Sequence, residues 1–277
     1  MRNLLKVVDA QATRDGDGVH IHRIGGRVLN QILNPFLMLD EINSDDTSDY
    51  IGGFPEHPHR GFETITYMKA GRMRHRDHMK NEGVVEPGGV QWMTAGRGVI
   101  HSEMPEQESG LLHGFQIWLN LPADEKMQPA AYRDFPEREI THVNQDNIAE
   151  VHVIAGLVDV AGQVVAGPLP ARATSPVLMD VELKPNANLE LLFSNDQPAL
   201  VYVYKGLANK LHKRQLGVFS TGAMLKLEAG SQGASLLVLS GRVIAEPIVQ
   251  HGPFVMNTTE EISQAFEDYR RGHLTSR

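Results

Sequence analysis

Short runs of alternating polar and apolar residues, each closed by glycine or proline, recur from one end of the chain to the other. Val19-His-Ile-His-Arg-Ile24, Phe62-Glu-Thr-Ile-Thr-Tyr-Met68, Gly114-Phe-Gln-Ile-Trp-Leu119, Glu150-Val-His-Val-Ile154 and Leu200-Val-Tyr-Val-Tyr204 are examples. Period two marks strands with one buried face, and turn signals about every 8–12 residues point to barrels or sandwiches rather than βαβ units. No Gly-x-Gly-x-x-Gly or Walker-type loop supports a nucleotide fold. Helix is expected in one place, where Thr258-Thr-Glu-Glu261 reads as a capping box and Ile262, Ala265, Phe266 and Tyr269 follow at helical spacing. Arg270 and Arg271 then favour the negative end of the helix dipole.

A chain of 277 residues exceeds the roughly 250 at which single cores stop growing, so two domains are expected. Asn120 to Pro136, with Pro122, Pro129 and Pro136, reads as their connection. Phe62–Gly71 is echoed by Ala199–Gly206, which suggests a duplicated barrel. The expected division is 1–135 for the first domain and 136–277 for the second, with the terminal helix on the second.

The formal charge of −8 weakens a case for sequence-independent nucleic-acid binding, which needs clustered Lys and Arg. Cysteine is absent, so thiolate metal sites and thiol catalysis are excluded. Apolar stretches such as Ala199–Tyr204 are strand-length, whereas a membrane helix needs about 20 residues. A soluble, intracellular chain with no membrane partner is the expectation.

Two segments carry metal-ligand chemistry. His57-Pro-His59 places two imidazoles at i and i+2, on one face of a strand with Cβ atoms roughly 6–7 Å apart. Pro58 between them cannot donate to a sheet ladder, so the stretch belongs at an edge or bulge. His101-Ser-Glu103 repeats the spacing with one imidazole and one carboxylate. Among 13 histidines chance pairs are common: His20-Ile-His22 has the same form, and His75 and His78 lie among Arg72, Arg74, Arg76 and Asp77.

Gly52-Gly-Phe-Pro-Glu-His-Pro-His-Arg-Gly-Phe-Glu-Thr64, followed by Gln91-Trp-Met-Thr-Ala-Gly-Arg-Gly-Val-Ile-His-Ser-Glu-Met-Pro105, strongly resembles the pirin family of the cupin superfamily. Gly252-Pro-Phe-Val-Met-Asn-Thr258 resembles that family's C-terminal signature. The resemblance implies an all-β bicupin, with two cupin-type barrels packed together, a short C-terminal helix, and metal in the first barrel only. Carried across by position, it implies His57, His59, His101 and Glu103 as metal ligands. Many other cupins take their carboxylate four residues after the second histidine, here Glu63. The pirin pattern instead leaves Glu63 beside the ligands, bonded to an imidazole or to Arg60.

Nitrogen and oxygen donors suit iron, manganese, cobalt, nickel, copper or zinc, and ligand type does not choose among them; the resemblance points to one divalent iron. Some pirins are similar to quercetinases, which cleave the flavonol central ring with dioxygen. That implies Glu103 as general base, with Phe54, Phe62 and Trp92 as candidates to stack on the substrate or to serve as core. The rival expectation is a non-catalytic, redox-responsive regulator acting through a protein partner, with Lys69, Arg72, Arg74 and Arg76 as a basic patch. A cytoplasmic location is expected, nuclear as well in a eukaryote.

Overall fold

A computed structural model describes residues 1–169, 172–194 and 196–276. It is dominated by strands and divides into two compact units, residues 12–137 with 244–277 and residues 1–11 with 138–243.

In the first unit a seven-stranded sheet runs in the order Ala131–Phe135, Val90–Thr94, Phe62–Ala70, Leu112–Asn120, Phe36–Ser44, Val19–Gly25, Gln11–Asp15. A four-stranded sheet has the order Phe54–His59, Val99–Pro105, Met73–Asp77, Glu82–Val85, with antiparallel pairing. Val19, Ile21, Ile42, Met68, Met73 and Val85 from both sheets share a buried cluster. Val19 and Ile21 reach it from one strand at the period-two spacing of the sequence. The sheets stay open at their edges, so the expected barrel takes the form of a β-sandwich.

In the second unit Met224–Ser240 serves two pairings at once. Its first half pairs with Asn188–Leu192, and its second half lies between Val177–Leu183 and Ala199–Ala208. Alternate residues Val151, Val153, Met179, Val181, Val201, Val203, Leu236 and Val238 build its core. The two echoed segments occupy corresponding places: Phe62–Ala70 and Ala199–Ala208 are both interior strands of their sheets.

The terminal helix is Thr259–Arg270, and its capping box is present. Thr258 Oγ1 accepts from the Glu261 N–H at 3.1 Å, and Glu261 Oε2 accepts from the Thr258 N–H at 2.9 Å. A second, four-residue helix, Asn30–Leu33, lacks a side-chain cap, which is why no start signal announces it. Among the described residues no helix is long and apolar enough to cross a membrane.

The compact units differ from the contiguous division at 135/136. The terminal helix belongs to the first unit, where Ile262, Ala265 and Leu274 pack with Phe254 and Met256. The N-terminal strand Leu4–Asp9 belongs to the second, paired with Gln215–Phe219. Local periodicity reports that a strand or helix exists but not which sheet receives it, so the exchange of the two ends left no mark on it. The proline-bearing connection also carries structure, since Ala131–Phe135 adds an edge strand beside Val90–Thr94.

A candidate metal centre

His57 and His59 lie on one face of Phe54–His59, an edge strand as Pro58 requires. The antiparallel register with Val99–Pro105 sets His101 directly opposite His57. Directly opposed residues share a face, so three imidazoles converge. Ring centroids are 4.4 Å apart for His57–His101, 4.7 Å for His57–His59 and 5.0 Å for His59–His101. One ring nitrogen from each lies within 4.8 Å of the others.

Their hydrogen bonding fits a bound cation. His57 Nδ1 is 2.8 Å from the Pro55 carbonyl. A carbonyl only accepts, so Nδ1 carries the proton and Nε2 keeps its lone pair. His59 Nδ1 and both ring nitrogens of His101 are buried with no protein partner. Buried polar atoms are ordinarily satisfied, and a divalent ion is the species that satisfies lone pairs on three imidazoles. Burial pushes the His59 and His101 pKa values well below 6.5, and neighbouring imidazoles add to the shift. Both rings are therefore neutral at neutral pH, the form that ligates.

Glu103 is buried and follows a register irregularity that sets it opposite Phe54. It stands outside the three-imidazole group. Gln116 Nε2 donates to its two oxygens at 3.2 and 3.1 Å, and Thr66 Oγ1 lies 3.2 Å from Oε1. Thr66 and Gln116 are themselves register partners on the seven-stranded sheet, so Glu103 spans from one sheet to the other.

A cavity of about 770 Å³ is lined by His57, His59, Glu103, Thr66, Gln116 and Trp118. Ile21, Met38, Ile42, Met68 and Met73 form apolar wall. A charged cluster interrupts that wall: Arg23 makes two bonds to Asp40, Nε–Oδ1 at 2.8 Å and Nη2–Oδ2 at 2.6 Å, and reaches Asp15 at 2.5 Å. Burial pushes the Asp40 carboxyl up to about 6, with Arg23 opposing.

The remaining expected residues separate. Phe54 lines the cavity. Phe62 is fully buried beside the imidazoles, its ring 5.2 Å from His59 and 4.2 Å from Trp118. Trp92 is buried on Val90–Thr94 and does not reach the cavity lining. Glu63 is buried and accepts from Thr94 Oγ1 at 2.6 Å. Arg60 turns to the chain's end, bonding the Arg97 carbonyl, Asp268 at 2.7 Å and the Leu274 carbonyl at 3.4 Å. His20, of the similar His-x-His motif, lies 2.8 Å from Asp49.

The arginines of the expected basic patch are ion-paired: Arg72 to Glu106 at 2.7 Å, Arg74 to Glu106 and to Glu82 at 3.1 Å, and Arg76 to Glu82 at 3.0 Å. Sequence reasoning missed Thr66, Gln116, Trp118, Arg23 and Asp40. The available signal was a polar residue inside strands that are otherwise largely apolar, as for Thr66, Gln116 and Asp40.

Comparison with known proteins gives the chain a family. Residues 18–119 match the family model of Pirin, and residues 178–275 match that of the Pirin C-terminal cupin domain. A pirin-like protein of Caulobacter vibrioides is 45% identical over 278 residues, covering 99% of each chain. The crystal structure of a quercetin 2,3-dioxygenase from Acinetobacter baumannii superposes with a TM-score of 0.90 at 32% identity, covering 99% of this chain and 98% of that one. A bacterial pirin from Escherichia coli in complex with nickel(II) shares the fold, with TM-score 0.63 at 16% identity and coverage of 88% and 100%. With two cupin domains, a short C-terminal helix and a buried histidine triad, this chain belongs to the pirin family of the cupin superfamily.

Proposed function

We propose that the protein is a mononuclear iron(II)-dependent dioxygenase that cleaves flavonols such as quercetin by the 2,3-dioxygenase reaction. The observation that carries this reading is a cluster of three imidazoles, two of them lining a cavity of about 770 Å³ that the buried carboxylate Glu103 also lines. His57, His59 and His101 are the ligands, with Glu103 as the fourth. When bound, the metal supplies a Lewis acid and an electron path between flavonol and dioxygen.

The chain's own residues do the rest. The methionine and isoleucine wall, with Phe54 and Trp118, takes the flat rings and excludes water. Glu103 accepts the proton of the flavonol 3-hydroxyl on a carboxylate oxygen. The Gln116 amide donates to both oxygens at 3.2 and 3.1 Å and keeps that carboxylate aimed at the cavity. Atoms balance: flavonol and O2 give a ring-opened ester and carbon monoxide. The relative's activity toward quercetin and another relative's nickel support the substrate class and a divalent transition ion. A cysteine-free chain is at ease in the reducing cytoplasm.

The test is aerobic quercetin turnover, followed by oxygen uptake and carbon monoxide release, with the protein loaded in turn with iron, manganese, cobalt, nickel, copper or zinc. Turnover with at least one metal, lost in Glu103→Gln and His59→Ala, is expected. No turnover with any of them overturns the reading.

A further inference from the structure

The charged cluster in the cavity wall takes no part in the metal binding or proton transfer proposed for the site. Arg23, on Val19–Gly25, and Asp40, on Phe36–Ser44, are register partners on the seven-stranded sheet. The triad belongs to the four-stranded sheet. The Asp40 side chain is 8% exposed and that of Arg23 is 30% exposed, and both line the cavity. A buried carboxylate paired with a guanidinium is costly to desolvate, and a hydrophobic pair of similar volume would pack there at least as well. Arg23 spends Nε and Nη2 on Asp40 and Asp15, which leaves the two protons of Nη1 uncommitted. Each Asp40 oxygen accepts from Arg23 through one lone pair and has another to offer. The cavity lining holds five carboxylates (Asp15, Asp17, Asp40, Glu56, Glu103) against two guanidiniums (Arg23, Arg27). That balance repels carboxylated or phosphorylated ligands and favours neutral ones rich in O–H donors.

We propose that Arg23 and Asp40 are specificity-determining residues: Asp40 accepts from, and Arg23 donates to, ring hydroxyls of a neutral polyhydroxylated aromatic remote from the hydroxyl that faces Glu103 and the triad. The proposal rests on the flavonol reading and adds what selects among flavonols. A site built to bond a hydroxyl discriminates against the analogue that lacks it, because its own polar groups are then left without that partner.

The experiment is calorimetric titration of the metal-loaded protein, kept free of dioxygen, with quercetin and with 3-hydroxyflavone, which retains the 3-hydroxyl and lacks the others. Wild type binds quercetin about tenfold tighter or more. In the double variant Arg23→Met/Asp40→Leu, a hydrophobic replacement chosen to preserve folding, quercetin affinity falls to within about twofold of that for 3-hydroxyflavone, whose own affinity is unchanged. Equal wild-type affinities, or full discrimination retained in the double variant, overturn this proposal while leaving the flavonol reading intact. The wild-type comparison decides even where the variant fails to fold. Binding of neither compound overturns the flavonol reading and this proposal with it.

Discussion

Gln116 shows how much of a buried carboxylate's behaviour is set by its partner. Glu103 alone on a strand could swing; the amide donating to both oxygens holds it to one aim. Gln116→Leu removes that donor while leaving the three imidazoles untouched. We expect kcat/KM for quercetin to fall about 10–100-fold, with metal content by elemental assay unchanged. Loss of metal together with activity would mean that Gln116 supports the triad instead. Trp118, whose ring lies 5.3 Å from His59, supports the triad by packing. Trp118→Ala opens a cavity beside His59, and the cost expected is about 3 kcal/mol in urea unfolding.

The segment around His59 is tied to the chain's end. Gly61, at φ +89, approaches the Val255 carbonyl where any Cβ would collide. Val255 N–H donates to the Arg60 carbonyl at 3.0 Å. Beneath them Lys126, fully buried, gives its three protons to Gly61 O at 2.7 Å, Asn120 Oδ1 at 2.7 Å and Val255 O at 3.1 Å. Lys126→Met orphans three buried acceptors at once, and an unfolding free energy lower by about 2–4 kcal/mol is expected from denaturant melts. Burial pushes Lys126 down to about 7, against the pull of Glu246 and Glu261. The unfolded chain keeps that proton up to about pH 10. Between about pH 7 and 10 the unfolded state therefore binds more protons, and stability from this group rises with pH. The Tm advantage of wild type over Lys126→Met is expected to be larger at pH 9 than at pH 7; a constant difference would show that the ammonium stays charged throughout.

The metal is expected to act on the whole site-bearing unit. Three lone pairs held together without an ion are an unmet demand of the fold, and the unfolded chain does not hold them in place. Saturation at about 100 times Kd adds roughly 2.7 kcal/mol, or roughly 5–10 °C in Tm, reversed by a chelator and absent in His101→Ala; an unchanged melting curve would dissociate the triad from metal. A chain stopped at residue 243 lacks the Phe254–Met256 strand, the helix and the Arg60–Asp268 pair. It is expected to lose metal binding while the 138–243 core still unfolds cooperatively. By itself the sequence determined the all-β architecture, the capping box and the two histidine-bearing segments, because period-two burial, turn chemistry and His-x-His spacing are all local. The tertiary structure alone decided which sheet each end of the chain joins, that Arg60 serves the C-terminal segment, and that Thr66, Gln116, Arg23 and Asp40 meet one cavity. Those depend on contacts between residues far apart in the chain, and such contacts leave no period in the sequence.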